Sequence, residues 1–306
     1  MPPFNANGAD RQLPLAGEIF LDHLAHFVPD AQGASLALAR AGFAPTPLSI
    51  QTDAGQLTGT GNVTAMLERG YIEVLFKTAD TPLGREFDEA QARYPGIHVI
   101  AFGVADARAQ WTALSARGFH VRPLVELRRP VATETGEAEA AFTVARVEAG
   151  EMSEGRIQML THHTEDAVWQ KRWLKHANGA RGLIDVVIAV PDVNEAAARY
   201  GRFLNRKPVN MSMGASIFLD RGGVQLVDVS TFMRSVPGVP IPSLPFIGAY
   251  AVRVDSLIGT ANLLRSSAMT FEQRDRMLFA PFPRQLGAGA WIFVEQPGDL
   301  PWRAKS

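Results

Sequence analysis

Apolar and polar residues follow an outline that repeats four times along the chain. Each repeat opens with a short apolar strand that runs into an aspartate, continues with a helix of small and apolar residues, and contains a later apolar strand preceded by a glycine. In the first repeat these elements are the strand 19–30, a helix over residues 34–41 and the strand 70–77. Asp30 suits the N-cap of that helix, and Gly42 suits the left-handed position after its end.

The other three repeats have the same order of elements. The second is predicted as the strand 97–106, the helix 107–117 and the strands 142–148 and 155–161, followed by a connecting helix over 166–177. The third is the strand 183–192, the helix 193–204 and a hairpin with strands 215–219 and 224–229. The fourth follows a proline-rich segment, 236–245, and consists of the strand 249–255, a helix to residue 266 and the strand 290–295.

Strands outnumber helices in this pattern, which predicts an α+β protein rather than a doubly wound α/β protein. Each repeat is a βαβββ module. Two modules side by side can curl their sheets into a half-barrel around a shared cavity, which would be a natural ligand site. We therefore predict two half-barrel domains, residues 17–163 and 182–300, with an N-terminal tail over 1–16 and a helical linker over 164–181.

Composition narrows the function classes. The chain has 306 residues, no cysteine, and 30 Lys and Arg against 31 Asp and Glu. This balance argues against nucleic-acid binding, which needs a basic patch. No apolar run of membrane-spanning length and no secretory signal are present in the sequence, so we expect a soluble cytoplasmic protein. Without cysteine, a metal site would use nitrogen and oxygen ligands, which favours Zn, Mn, Fe, Ni or Mg.

Four stretches carry a resemblance to a known superfamily. They are LDHLAHFVPD at 21–30, GTGNVTAMLERGYIEVL at 59–75, GRIQMLTHHTE at 155–165 and IDVVIAVPD at 184–192. Together with the repeat, they resemble the vicinal oxygen chelate superfamily of glyoxalases, bleomycin-resistance proteins and extradiol dioxygenases, and within it the glyoxalase-like subgroup. The resemblance implies one divalent metal ion in a paired-module cavity, with ligands from the first and last strands of each module.

The resemblance implies specific metal ligands in the first two modules. His23 matches the first-strand histidine, Glu73 the last-strand glutamate, and Gln158 falls at the position of Glu73 in the second module. The second module departs from the pattern because Val99, not His98, aligns with His23. Each residue also has a structural interpretation: His23 as a hydrogen-bonded core histidine, and Gln158 as a hydrogen-bonding cavity residue.

Further cavity residues follow from the same resemblance and from strand parity. Asn62 is expected to face the cavity and contact substrate. His162 follows Gln158 by four residues, so both side chains lie on one side of a strand, although His162 could instead belong to a helix-entry turn. In the third module, Asp185 and Gln225 stand at the positions of His23 and Glu73. We therefore expect the first two modules to carry any metal site.

Two functional hypotheses remain open, together with a purely structural or interaction role. The first is a metal-dependent lyase, isomerase or dioxygenase. Its ion would chelate neighbouring substrate oxygens and stabilise developing negative charge, with Glu73 as an alternative catalytic base. The second is a metal-free protein that binds or sequesters a small molecule. Both hypotheses predict a small-molecule ligand and neither nucleic-acid nor membrane partners, and a homodimer is compatible with both.

Overall fold

Two eight-stranded mixed sheets form the framework of the computed structural model, which describes residues 11–53, 56–134 and 136–303. In each sheet the first strands of two βαβββ modules pair antiparallel at the centre, and each of them pairs in parallel with the last strand of its own module. This arrangement confirms the predicted α+β fold with two half-barrel-like domains.

The first sheet and its helices contain the following elements in chain order: β1 Ile19–Phe27, α1 Ala31–Arg40, β2 Ser49–Asp53, β3 Gln56–Met66, β4 Tyr71–Lys77, α2 Pro82–Arg93, β5 Gly96–Val104, α3 Ala107–Ala116, β6 Val125–Thr133, β7 Gly136–Arg146 and β8 Arg156–His162. The strand order across the sheet is β2-β3-β4-β1-β5-β8-β7-β6.

The second half of the chain repeats this plan: α4 Glu165–Val168, β9 Ala180–Ala189, α5 Val193–Leu204, β10 Val209–Met211, β11 Gly214–Phe218, β12 Gly223–Val227, α6 Val229–Ser235, β13 Phe246–Val254, α7 Leu257–Ser266, β14 Glu272–Arg274, β15 Met277–Pro281 and β16 Ala290–Val294. Short 3₁₀ turns lie at Lys171–Trp173, Arg284–Leu286 and Pro297–Asp299. The strand order is β10-β11-β12-β9-β13-β16-β15-β14.

Side-chain caps begin the helices at the positions the sequence indicates. Asp30, Asp106 and Asp192 each accept a hydrogen bond from a backbone N–H in the first turn of α1, α3 and α5. Ser256 does the same for α7. Such caps satisfy backbone donors that have no partner within the helix.

The structure differs locally from the predicted elements. The connecting helix predicted over 166–177 is replaced by the four-residue α4 and a 3₁₀ turn, because Trp169 leaves the helical conformation and packs against the ring of Tyr71. Helix α2 was not predicted; it starts at the Thr81 cap and buries Phe87. Residues 1–10 of the predicted tail lie outside the described residues.

One continuous hydrophobic core joins the two domains. It contains apolar residues from both sheets together with the buried faces of α1, α3, α5 and α7. Backbone hydrogen bonds also cross between the domains, from Leu21 N–H to the Arg221 carbonyl at 2.7 Å and from Ala288 N–H to the Pro95 carbonyl at 2.8 Å. The helices therefore pack between the sheets, which leaves the opposite, concave face of each sheet for other contacts.

Candidate functional site

A bulge in β1 brings two adjacent polar side chains together on the concave face of the first sheet. Leu21 pairs with Phe102 and His23 pairs with Ala101, so Asp22 is an extra residue in β1. In a regular strand, neighbouring side chains point to opposite faces. Here the Asp22 carboxylate and the His23 imidazole form a hydrogen bond of 2.7 Å.

Asp22 lies between two imidazoles. Its Oδ2 accepts a hydrogen bond from Nδ1 of His23, and its Oδ1 accepts one from Nε2 of His162 at 3.0 Å. Burial alone would raise the pKa of Asp22, but the charge of His162 and the hydrogen bonds from His162 and His23 hold it well below its usual range. An ionised Asp22 therefore fixes the tautomer of His23, with the proton on Nδ1 and a lone pair on Nε2.

The second ring nitrogen of His23 lies near Glu73. The distance from His23 Nε2 to Glu73 Oε2 is 3.7 Å. The other oxygen of Glu73 accepts a hydrogen bond of 2.7 Å from Nδ2 of Asn62, whose Oδ1 in turn accepts one of 3.2 Å from Arg129. Polar groups therefore form one polar chain, which runs from His162 through Asp22, His23, Glu73 and Asn62 to the partly buried Arg129. Its links are hydrogen bonds except for the 3.7 Å approach of His23 to Glu73.

Aromatic rings cover this polar chain. Tyr71 stacks on His23 with ring centroids 4.4 Å apart, and Trp169 meets His162 edge-on at 4.6 Å. Burial, followed by the negative charges of Asp22 and Glu73, raises the pKa of Tyr71 well above its usual value. A neutral phenol and an indole thus shield the charged groups from water, which strengthens the electrostatic interactions among them.

A cavity of about 210 Å³ adjoins the polar chain at Asn62. Arg129, Thr64, Met66 and Trp173 also line it. The structure thus places Asn62, the residue predicted to contact substrate, between the cavity and Glu73. His162, the other predicted contact, lies behind Asp22 with a buried side chain.

Gln158 is separated from His23 and Glu73. Its side chain lies on the concave face, but its amide oxygen accepts a hydrogen bond of 3.1 Å from Nε of Arg146. Val99 packs in an apolar cluster, and His98 donates from Nε2 to the Tyr94 carbonyl at 2.7 Å. The second module therefore brings neither a histidine nor a free amide oxygen to the pair formed by His23 and Glu73.

The donor set suits a divalent ion held by two protein groups. No group of three His, Asp or Glu side chains that could enclose an ion occurs in residues 11–53, 56–134 and 136–303. However, His23 Nε2 and Glu73 Oε2 face each other, and the bond from Asp22 to Nδ1 is the outer-shell contact that orients histidine ligands in metal sites. Such an ion would complete its coordination with water and substrate oxygens.

Among the described residues of the second domain, none form a comparable polar site on its concave face. Register places Asp185 and Gln225 at the positions of His23 and Glu73. Asp185 accepts hydrogen bonds from Trp302 at 2.7 Å and from Arg303 at 2.6 Å, and Gln225 donates to the Met213 carbonyl at 2.9 Å. Apolar side chains from α6, the proline-rich segment and the C-terminal segment fill the face: Phe232, Val236, Val239, Leu300 and Trp302. The first domain therefore carries the candidate site.

Two important residues were not identified from the sequence. Asp22 was treated as part of a strand, because a bulge of one residue leaves no clear signal in a single sequence. Arg146 lies at the end of a strand and contacts Gln158 only after the second module has folded. The adjacent pair Asp22-His23 is a signal that could have suggested an oriented imidazole.

Comparisons with known proteins agree with this architecture. A solved structure of a hypothetical protein from Staphylococcus aureus is similar with a TM-score of 0.64 and 10% identity, covering 90% of this chain and 98% of that one. A mutant of 4-hydroxymandelate synthase from Streptomyces coelicolor gives a TM-score of 0.59 and 15% identity, covering 90% and 92%. At these identities the likeness concerns the fold.

A third structure is a fusion of a xylose isomerase-like TIM barrel with 4-hydroxyphenylpyruvate dioxygenase. It gives a TM-score of 0.54 and 13% identity, covering 93% of this chain and 50% of that one. No curated protein sequence matches the chain significantly. Within the described residues, no helix is both long and apolar enough to cross a membrane.

The family model that matches the sequence is the one described as a Glyoxalase-like domain, and it covers residues 21–204. This range includes β1 with Asp22 and His23, β4 with Glu73, and the start of the second domain. The sequence match and the paired-module sheets agree. The chain therefore belongs to the Glyoxalase-like domain family of the vicinal oxygen chelate superfamily.

Proposed function

We propose that this protein is a metal-dependent enzyme that acts on a small oxygenated substrate at the concave face of the first domain. The observation that carries the proposal is the orientation of His23: Asp22 holds Nδ1, and Nε2 faces Glu73 at 3.7 Å. His23 and Glu73 would hold one divalent ion. When bound, the ion would supply Lewis-acid stabilisation of negative charge developing on substrate oxygens.

The protein residues suggest proton transfer next to a carbonyl group as the reaction class. A non-haem iron dioxygenase site uses two histidines and one carboxylate, whereas this pair supplies one of each. Glu73 is the candidate base in the alternative in which it is detached from the ion, since Asn62 holds one of its oxygens and the other lies 3.7 Å from His23 Nε2. This favours isomerase or lyase chemistry for this chain over the dioxygenase chemistry named for one of its structural neighbours.

A second candidate is a metal-free binding protein of the same fold. The hydrogen bond from Arg146 to Gln158 favours it, because the amide oxygen of this third predicted metal ligand is already bonded to a guanidinium group. In that case the polar chain of side chains from His162 to Arg129 would hydrogen-bond a ligand directly. A cytoplasmic location and a small-molecule partner are part of both proposals.

Metal analysis of the full chain, purified without chelator and then incubated with Mn²⁺, Ni²⁺ or Zn²⁺, separates the two candidates. We expect about one ion per chain in the wild type and none in His23→Ala or Glu73→Gln. Asp22→Asn should retain the site but lower its affinity by about 10- to 100-fold, because it removes the outer-shell carboxylate.

His120→Ala is the matched control for these variants. His120 pairs with Glu151 but is exposed at the surface, so its removal should leave the metal content unchanged. Equal metal content in His23→Ala and the wild type, or no metal in any sample, would reject the metal-dependent proposal and leave the binding protein.

A further inference from the structure

A second cavity of the first domain, of about 430 Å³, is surrounded by arginines. It lies between α2 and the strands β7 and β8, and the guanidinium groups of Arg122, Arg146 and Arg156 line it. Glu86 accepts hydrogen bonds from Arg122 at 2.8 Å and from Arg156 at 3.2 Å. One carboxylate is thus shared by two guanidinium groups.

Arg146 has no carboxylate partner among the described residues. Its one hydrogen bond there goes from Nε to the neutral amide of Gln158, and the rest of its planar donor group borders the cavity. Burial, followed by the charges of Arg156 and Arg122, lowers the pKa of Arg146 to about 9. A buried guanidinium group without a carboxylate partner, placed beside two other guanidinium groups, is unfavourable unless an anion binds to it.

A second buried polar atom at this cavity, Nδ1 of His98, has no hydrogen-bond partner among the described residues. His98 is 1% exposed, and its Nε2 donates to the Tyr94 carbonyl. Its Nδ1 therefore carries a lone pair, and no donor contacts it among the described residues. Burial and the positive charges of Arg93 and Arg156 lower the pKa of His98 to about 4, so this nitrogen accepts a hydrogen bond at neutral pH.

We infer that this cavity binds the carboxylate of a small organic monoacid that also carries a hydroxyl or amine donor. Arg146 provides planar paired donors for the carboxylate, and His98 provides an acceptor for the second group. The charges favour a single negative charge: four arginines and the carboxylates of Glu86, Glu89 and Glu148 give a net charge of +1 around the cavity.

The inferred site is separate from the proposed metal site, so the inference goes beyond the proposed function. In the strand order β4-β1-β5-β8-β7, Glu73 lies on β4 and Arg146 on β7, four strands apart. Four strand spacings amount to roughly 19 Å, and neither His23 nor Glu73 lines this cavity. A small acid anchored at Arg146 therefore does not reach Glu73.

The test is calorimetric titration of the full chain in the presence of EDTA, which removes the metal from the measurement. The probes are lactate, propionate, which lacks the hydroxyl, lactamide, which lacks the charge, and inorganic phosphate. We expect lactate to bind more tightly than propionate, and lactamide not to bind measurably. Arg146→Gln should weaken lactate binding at least about tenfold, whereas the exposed Arg128→Gln should not change it.

Arg146→Lys covers the case in which Arg146→Gln does not fold, since it keeps the charge and loses the paired donors; it should weaken binding less. Equal binding of lactate and lactamide, unchanged binding in both Arg146 variants, or preference for phosphate would overturn the inference. His23→Ala should bind lactate like the wild type in EDTA. Absence of metal binding in the wild type, with retained lactate binding, would therefore reject the proposed function alone.

Discussion

Replacing Glu154 with alanine is expected to destabilise the protein by about 3–5 kcal/mol, the usual effect of removing one partner from a buried ion pair. Glu154 belongs to the first domain and is fully buried. Both of its oxygens accept hydrogen bonds from Arg199 on α5 of the second domain, at 2.7 and 2.9 Å. The variant would leave the guanidinium at the domain interface with a single exposed partner.

The direction of the pKa shift of Arg199 supports this expectation. Burial alone would lower the pKa of Arg199, but the hydrogen bonds with Glu154 and Glu195 raise it. The pair therefore compensates the burial of the cation, and the two domains are joined by charge as well as by apolar packing.

Glu195→Ala is the matched control, because Glu195 contacts the same guanidinium from the solvent side. An exposed pair of this kind contributes about 0.3–0.5 kcal/mol. Chemical denaturation of both variants measures the difference. Equal destabilisation by the two substitutions would show that the buried pair does not stabilise the interface.

Acidification from pH 6.5 to pH 4 is expected to lower the free energy of unfolding by about 3 kcal/mol for each of His26 and His98. Burial lowers the pKa of each residue from 6.5 to about 4. Below pH 6.5 the unfolded chain takes up protons that the folded chain does not. The stabilisation is therefore complete above pH 6.5 and is lost as the pH falls to 4.

Burial keeps His26 neutral, and both of its ring nitrogens find hydrogen-bond partners in that neutral form. Nδ1 donates to the Leu286 carbonyl at 2.9 Å, and Nε2 accepts from the Tyr250 hydroxyl at 3.1 Å. Tyr250 in turn accepts from Trp291 Nε1 at 2.7 Å, so its own hydrogen is directed to His26. A proton on Nε2 would therefore point at the hydroxyl hydrogen of Tyr250 and break this hydrogen bond.

The measurement is the unfolding free energy of the wild type and His26→Gln at several pH values. The variant should be less stable at pH 7 but should lose about 3 kcal/mol less between pH 6.5 and 4. Parallel pH profiles would contradict the role of His26. Asp22, whose pKa is lowered, contributes stability that declines only at lower pH, below about 4.

Periodicity and capping residues were sufficient to predict the fold. The fourfold strand–helix–strand outline and the aspartates before three helices predict both half-barrels, and α5 has the predicted bounds. Helix α2 is not predicted because half of its residues are charged or polar and Phe87 is its one large buried side chain, and α6 is not predicted because it has only seven residues. Their tertiary roles differ: α2 packs Phe87 against Phe27, and α6 helps to fill the second concave face.

The candidate site was predictable only in part, for physical reasons that differ between residues. His23, Glu73 and Asn62 lie on strands that the resemblance aligns with the family pattern, so a resemblance in sequence places them near each other. Asp22 reaches the site through a bulge, and Gln158 is drawn to Arg146 by a charge that comes from a neighbouring strand. Contacts of these two kinds depend on register and tertiary packing, which a single sequence does not specify.

The most direct test of the central claim, that His23 and Glu73 hold a divalent ion oriented by Asp22, is anomalous scattering from crystals of the full chain grown with Mn²⁺. The account predicts one peak about 2.1 Å from both His23 Nε2 and a carboxylate oxygen of Glu73, with Asp22 still bonded to Nδ1. A site without such a peak at saturating Mn²⁺, or a peak coordinated by other residues, would contradict it.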